Sequence, residues 1–298
     1  MRHKLVHILY ALAIVATANA LGAQQTPVAV SSSYLECAVA EITSAPIVRL
    51  TGSTGCPGHF DLKPSDAKAL TKAKLFFCLD TQEDMGTKLK TFPNLRIIPI
   101  HVPEGMMVPT HYTSARKQIA DALKQYDPET SATAIDARLE ELRPADLRLS
   151  RLGRAHIRGL IGKNVLASKR QSTFCRWLWM NVVGEFGPTE TVSIAELTEL
   201  ARNKNVEFVI GNKHEGDTVA KALAEQLNVP LVMFANFPDM SPQESTWKSV
   251  FMGNIKALTA TAYQAEMKKR SAATTTTIEL NGTTTETDTS ATSETEHR

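Results

Sequence analysis

The chain has 298 residues, of which 43% are hydrophobic and 21% are charged, and its formal net charge is +2. This length is enough for one large domain or for two units of about 100–150 residues each. A net charge so close to zero gives no electrostatic reason to expect a nucleic-acid partner.

Residues 1–23 carry the features of a secretory signal peptide. The stretch begins with basic residues, continues as an apolar run and ends in small residues. We expect cleavage near Ala20 or Ala23 and export to the periplasm. No later apolar run reaches the roughly 18–20 residues that a membrane span needs, so we expect the mature protein to have none.

Residues 24–126 alternate short apolar runs with amphipathic stretches. This alternation is typical of a parallel sheet covered by helices, because parallel strands need long crossover connections. We expect an N-terminal α/β lobe. Its predicted strands are 26–32, 47–50, 74–79 and 95–100, and its predicted helices are 33–42, 65–72, 82–90 and 110–126.

Residues 127–160 have apolar residues at helical spacing and no strand pattern. We expect one long linker helix here. Pro144 should kink or interrupt it, because proline lacks a backbone donor and clashes with the preceding turn.

Residues 161–270 return to the alternating pattern of a second α/β lobe. The predicted strands are 164–168, 207–211 and 231–235, and the predicted helices are 171–183, 193–204, 215–227 and 243–269. Residues 271–298 are rich in Thr, Ser and Glu, a composition that predicts a disordered tail. The expected fold class is therefore α/β, with two lobes, each a mainly parallel sheet flanked by helices, joined by one long linker helix.

Four cysteines occur in a chain that we expect to be exported, and an oxidising compartment permits disulfides. Cys37 and Cys56 are close in sequence and near the start of the mature chain, so we predict a bond between them. Cys78 and Cys175 lie in apolar runs and are predicted to be buried free thiols. The alternative for Cys56 is a metal ligand.

Three stretches carry a resemblance to one family. They are PGHFDLKPSDAKALTKAKLFF, IADALKQYDPE and VEFVIGNKHEGDTVAKALAEQLNVPLV. With the order of the elements around them, they resemble the metal-binding solute-binding proteins of zinc and manganese ABC transporters. The resemblance covers residues 26–268. It implies two lobes joined by a rigid helix, with the metal ion held by about three histidines and one carboxylate.

The resemblance implies a ligand set when its positions are carried over one at a time. His59 occupies the first histidine position. Glu104 falls on the second, with His101 three residues away as a possible substitute. Gln171 stands at the third position, where the family has a histidine. Ala235 and Asn236 stand at the fourth, where the family has an aspartate, and Asp239 lies further on. Imidazole and carboxylate ligands suit zinc or manganese, whereas an amide oxygen is a poor ligand for them.

The second lobe also supports a different ligand class. Lys169, Arg170 and Gln171 open a helix after a strand, and helix N-termini attract anions. His214 follows a strand at its carboxyl end, where ligands bind in open α/β sheets. We therefore keep an alternative in which the same fold binds an anionic or metal-chelate ligand. The residues that would carry it are Lys169, Arg170, Gln171, Asn212 and Lys213.

The leading expectation is a periplasmic solute-binding protein that captures a divalent metal ion for an ABC importer, with His59, Glu104, His101 and His214 as candidate ligands. The implied partner is an ABC permease in the inner membrane, and we expect a monomer. The sequence has no nucleophile motif, phosphate loop or close carboxylate pair, so we do not expect an enzyme. A third alternative is an adhesin-like or partner-binding protein without a transport role.

Overall fold

The computed structural model describes residues 26–50, 62–187, 193–238 and 245–282, and these contain two four-stranded sheets. The strands are β1 Val28–Val30, β2 Ile47–Arg49, β3 Leu75–Leu79, β4 Arg96–Ile100, β5 Asn164–Ser168, β6 Asn181–Phe186, β7 Phe208–Asn212 and β8 Leu231–Phe234. The helices are α1 Ser33–Ala40, α2 Pro64–Leu70, α3 Glu83–Lys88, α4 Pro109–Tyr126, α5 Ala132–His156, α6 Lys169–Trp177, α7 Ile194–Asn203, α8 Thr218–Leu227 and α9 Trp247–Gly282. None of these helices is long and apolar enough to cross a membrane.

The first compact unit ends at Leu152 and also takes in the segment Ala235–Phe251. Its strand order is β2-β1-β3-β4, and every neighbouring pair is parallel. The middle strands are apolar throughout because helices cover both faces of the sheet. Phe76 and Leu89 lie in the core on one face, and Tyr34 and Tyr112 are buried against Trp247.

The second compact unit contains the described residues from Gly153 to Phe234 and from Met252 onward. Its strand order is β6-β5-β7-β8, again all parallel, so the two sheets have the same topology. The helix α8 packs closely on β7 at Gly211, because a Cβ atom added there would lie 2.9 Å from the Cβ of Ala220. The predicted fold class is confirmed.

The strand β6 was not expected. The sequence predicts a helix over 171–183, but α6 ends at Trp177 and the strand begins at Asn181. Trp179 between them has a left-handed backbone, with φ of 60°, which stops a helix. The helical prediction was therefore wrong for the residues beyond Trp177.

Two helices differ from the expected ones. The helix α5 passes through Pro144 without interruption. Because Pro144 is exposed, water can bond the carbonyl group that loses its helical donor there. The helix α9 continues to Gly282, past the predicted end at residue 269 and into the predicted tail. Residues 283–298 lie outside the described residues.

A buried arginine fastens the linker helix α5 within the first unit. The side chain of Arg116 on α4 is 4% exposed, and it donates to Oε2 of Glu41 at 2.6 Å and to Oδ2 of Asp146 on α5. Arg138, also on α5, donates to the carbonyl oxygen of Glu41 at 2.9 Å. Burial by itself lowers the pKa of Arg116, but the hydrogen bonds to Asp146 and Glu41 outweigh it, so the pKa is raised.

The three described cysteines are buried free thiols. Cys37 therefore differs from the predicted disulfide: it lies on the buried face of α1, and its thiol donates to the carbonyl oxygen of Ser245 at 3.6 Å. Cys56 lies outside the described residues. Cys78 and Cys175 are buried, as predicted. Burial raises the pKa of Cys37 and of Cys78 to about 11 and that of Cys175 to about 12.

Replacing Arg116 with alanine should lower the free energy of unfolding by about 3 kcal/mol, because two half-buried carboxylates lose a buried cationic partner. Urea unfolding followed by circular dichroism measures the change. The matched control is Lys117→Ala, which removes the exposed pair with Asp121 and should cost no more than about 0.5 kcal/mol. Equal effects of the two substitutions would contradict this role for Arg116.

The cysteines should be almost inert in the folded protein at pH 8. With pKa values of about 11 or above, the thiolate fraction is about one in a thousand, so alkylation should be about a hundredfold slower than after denaturation. Iodoacetamide labelling followed by peptide mass spectrometry measures this at each cysteine. Failure to label Cys37 after denaturation without reductant would contradict the free thiol.

Candidate functional site

Ligand-binding sites of open α/β sheets lie at the carboxyl ends of the strands. In a sheet of order 2-1-3-4, the connections from the first and third strands leave in opposite directions and open a crevice between them. In the first unit, the first residues beyond β1, β3 and β4 are Ser31, Asp80 and His101. All three are polar, and they lie at the same edge of the sheet.

Asp80 and His101 form a close pair at this edge. Oδ2 of Asp80 lies 2.5 Å from Nδ1 of His101, and the histidine side chain is 70% exposed. An ionised carboxylate can only accept a hydrogen bond, so Nδ1 carries the hydrogen. In the neutral imidazole this leaves a lone pair on Nε2. A carboxylate behind the imidazole is also the usual way in which proteins orient a histidine toward a metal ion.

The main chain of His101 is held as well. Gln118 on α4 accepts from the backbone N–H of His101 at 2.9 Å and donates through Nε2 to its carbonyl oxygen at 2.8 Å. One amide side chain thereby satisfies both backbone groups just beyond β4. The backbone and the ring of His101 are thus both fixed, while most of the ring remains accessible.

Glu104 lies in the loop between β4 and α4 and is exposed. Within the described part of the chain its carboxylate makes no hydrogen bond or ion pair. The loop itself is anchored: Trp247 donates through Nε1 to the carbonyl oxygen of Met106 at 2.9 Å, and Nδ1 of His111 lies 3.2 Å from the carbonyl oxygen of Gly105. Glu104 therefore projects an unengaged carboxylate from a well-anchored loop.

The other predicted ligand of this unit, His59, lies outside the described residues, as does Cys56. Their proposed roles stay predictions. The crevice between β1 and β3 is closed by a polar contact, because the buried hydroxyl of Ser31 donates to Oε1 of Gln82 at 2.5 Å and the backbone N–H of Leu79 donates to the same oxygen at 3.0 Å.

At the carboxyl edge of the second sheet, the polar side chains are arranged differently. Gln171 is fully buried, and its Nε2 donates to Oδ1 of Asn212 at 3.4 Å and to the carbonyl oxygen of Phe234 at 3.5 Å. The amide thus bridges the ends of β7 and β8. Both Gln171 and Asn212, predicted as ligand-binding residues, are brought together here as parts of the interior.

A carboxylate occupies the start of α6. Ser168, the N-cap residue, donates to Oε2 of Glu215 at 2.7 Å, and Nε of Arg170 lies 3.6 Å from Oε1 of the same residue. Glu215 thereby offsets both the positive end of the helix and the charge of Arg170. Lys169 and Lys213 remain exposed at this edge, and His214 lies half-buried between Lys213 and Glu215.

The predicted site residues therefore divide into two sets, one in each unit. Among the described residues, no group of three or more His, Cys, Asp or Glu side chains is placed to hold a metal ion. The sequence reasoning missed Asp80 and Glu215. Asp80 had a usable signal, since it is the first polar residue after an apolar strand, whereas nothing in the sequence pairs Glu215 with Ser168.

No model of a protein family and no curated protein matches this chain. Solved structures do match in fold. A crystal structure of ZnuA is 16% identical, with a TM-score of 0.63 over 80% of this chain and 99% of that one. A periplasmic metal-binding protein from Candidatus Liberibacter asiaticus is 15% identical, with a TM-score of 0.66 over 80% of this chain and 99% of that one.

Two further structures in the same group were solved with metal. One is a ZnuA deletion mutant with zinc bound, which is 16% identical, with a TM-score of 0.64 over 80% of this chain and 98% of that one. The other is the Liberibacter protein with manganese bound, which is 15% identical, with a TM-score of 0.65 over 80% of this chain and 99% of that one. At these identities the likeness concerns the fold. The chain has the two-unit α/β fold of these periplasmic metal-binding proteins, and the resemblance predicted from its sequence is confirmed at that level.

Proposed function

We propose that this chain is an exported solute-binding protein that captures a divalent metal ion of the zinc or manganese class and delivers it to an ABC importer. The observation that carries the proposal is the Asp80–His101 pair, with 2.5 Å between Oδ2 and Nδ1, at the carboxyl edge of the first sheet. Support also comes from the fold, which is that of proteins solved with zinc, manganese and cadmium bound.

The proposed ligand set begins with Nε2 of His101. Glu104 on the anchored loop would supply a carboxylate, and His59 a second imidazole. A mixed nitrogen and oxygen set of this kind suits borderline divalent ions. In the second unit His214 is the candidate ligand, since Gln171 is engaged with Asn212 and Phe234.

The rest of the proposal concerns location and partners. Residues 1–23 would act as a signal peptide cleaved near Ala20 or Ala23, and the mature chain would work in the periplasm as a monomer. Its partner would be an ABC permease in the inner membrane. The chain would bind and release its ion without converting it chemically, because neither sequence reasoning nor the described site supplies a nucleophile activated by a base.

The alternative of an anionic or metal-chelate ligand rests on exposed Lys169 and Lys213 at the edge of the second sheet. Glu215 weighs against it, because its carboxylate already lies beside Arg170 and bonds Ser168. Calorimetry with free zinc and with zinc citrate separates the two ideas. The leading proposal expects free zinc to bind. It also expects the double substitution Lys169→Gln with Lys213→Gln to leave the binding affinity unchanged. A partner-binding role without transport would be favoured if no metal bound at all.

Removing the imidazole of His101 should abolish tight metal binding. Isothermal titration of the metal-free protein with Zn²⁺ and Mn²⁺ near neutral pH measures it, with His101→Gln as the variant. The matched control is His156→Gln, an exposed histidine at the end of α5, which should leave the affinity unchanged. If both variants bind like the parent protein, the proposed site is wrong; if the parent binds no metal, the proposed class is wrong.

The substitution Asp80→Ala removes the carboxylate behind the His101 imidazole. It should weaken metal binding about 10- to 100-fold, since partners that orient a metal-binding histidine contribute in this range. Asp80→Asn should recover part of the loss, because the amide oxygen still accepts from Nδ1–H. Nitrogen NMR of His101 gives a second readout: the Nδ1-protonated form should predominate in the parent and lose its preference in Asp80→Ala. An unchanged tautomer would show that Asp80 does not orient the ring.

A further inference from the structure

The sequence from Leu147 to Gly184 contains no Asp or Glu and eight Lys or Arg residues, although the whole chain has a net charge of only +2. The run covers the end of α5, the strand β5, the helix α6 and part of β6. Such a separation of charge along the chain gives the folded protein a basic region that its overall composition conceals.

Part of this basic charge is neutralised by acids from elsewhere in the second unit. Lys163 pairs with Glu207 at 2.5 Å, and Arg176 pairs with Glu185 at 2.7 Å. Arg170 lies beside Glu215. Arg154 and Arg158 form no ion pair with the part of the chain that the structure describes. Their charges are therefore available to act on an external partner.

Arg154 lies between two indole rings. Its Cζ atom is 4.5 Å from the ring centroid of Trp177 and 4.5 Å from that of Trp179. Its buried Nε has no hydrogen-bond partner among the described residues. A guanidinium group stacks well on aromatic faces, and its N–H groups at the edge can then bond the oxygens of a phosphate or carboxylate.

Trp179 is held where glycine is usual. It follows the last helical turn of α6 with φ of 60°, and the N–H of the next residue, Met180, donates to the carbonyl oxygen of Cys175 at 3.0 Å. This is the hydrogen bond of a Schellman motif, whose left-handed position favours glycine. The backbone thereby directs a large aromatic side chain that is 52% exposed.

A second exposed apolar side chain, that of Ile161, lies next to Trp179. The N–H of Gly162 donates to the carbonyl oxygen of Trp179 at 2.8 Å, which brings the turn containing Ile161 beside the tryptophan. Ile161 is 43% exposed. We name the set Arg154, Arg158, Ile161 and Trp179 the arginine–tryptophan patch. It combines cations without acidic partners with exposed apolar groups, one of them an amphipathic indole.

We propose that the arginine–tryptophan patch binds the anionic headgroups of a phospholipid membrane. Arginine recognises the phosphate oxygens, and tryptophan and isoleucine enter the boundary between headgroups and acyl chains, where indole rings are stable. The patch has too few groups for permanent attachment, so binding is weak and reversible. The inference is independent of the proposed metal site.

Partition onto lipid vesicles tests the proposal. The purified full chain is sedimented with vesicles of equal parts phosphatidylglycerol and phosphatidylcholine, and with phosphatidylcholine alone. Binding should occur to the anionic vesicles and fall steeply between 0.05 and 0.5 M NaCl, because salt screens the headgroup charge. Equal binding to both vesicle types, or none to the anionic ones, overturns the proposal; the second result would favour an acidic protein partner.

Variants locate the contact. Arg158→Gln should weaken the partition about fivefold, the factor that corresponds to about 1 kcal/mol for one basic residue near an anionic surface. Trp179→Gly should also weaken it and suits the left-handed backbone, so folding is retained. The matched control is Lys169→Gln, which removes one charge from the same acid-free run outside the patch and should change the partition less than twofold.

Comparison of the variants with the parent chain cancels any contribution of other segments to vesicle binding. A blue shift of tryptophan emission on anionic vesicles, absent in Trp179→Gly, would place that ring at the membrane. If Lys169→Gln weakens binding as much as Arg158→Gln does, the patch is not the contact and the proposal is overturned.

Discussion

The parallel arrangement of all eight strands is the constraint on which the rest of this structure depends. Because neighbouring strands run in the same direction, their carboxyl ends meet at one edge, and the first residue after each strand is displayed there. Asp80 and His101 become neighbours for this reason, although 21 positions separate them in sequence. The same rule brings Ser168 and Asn212 to the corresponding edge of the second sheet.

The two units use equivalent edges in different ways. In the first, the pairing of His101 with Asp80 and Gln118 fixes the ring and leaves it 70% exposed. In the second, Gln171 donates to Asn212 and Ser168 donates to Glu215, so several polar side chains at that edge already contact one another. Polar side chains that bond one another inside a fold contribute to its structure, whereas an oriented and accessible imidazole is available to a ligand.

Arg116, which contacts the linker helix α5, and Arg154, which belongs to it, are accommodated in physically different ways. Arg116 contacts Asp146 on that helix and also Glu41, so buried positive charge is balanced by carboxylates. Arg154, in the last turn of the helix, is flanked by Trp177 and Trp179 instead. The charge of Arg116 is balanced by its carboxylate partners, whereas the stacked Arg154 keeps its charge for a partner, and this difference motivates the proposed membrane contact.

The sequence by itself determined the fold class, because buried parallel strands and amphipathic helices each leave a clear periodic pattern. It could not predict β6, since the left-handed turn at Trp179 breaks a helical pattern with a residue that rarely adopts that backbone. It identified His101 as a candidate ligand but not Asp80 as its partner. Only the tertiary structure decided that pairing, the burial of Gln171 and the free state of Cys37, because each depends on contacts between segments that are distant in the chain.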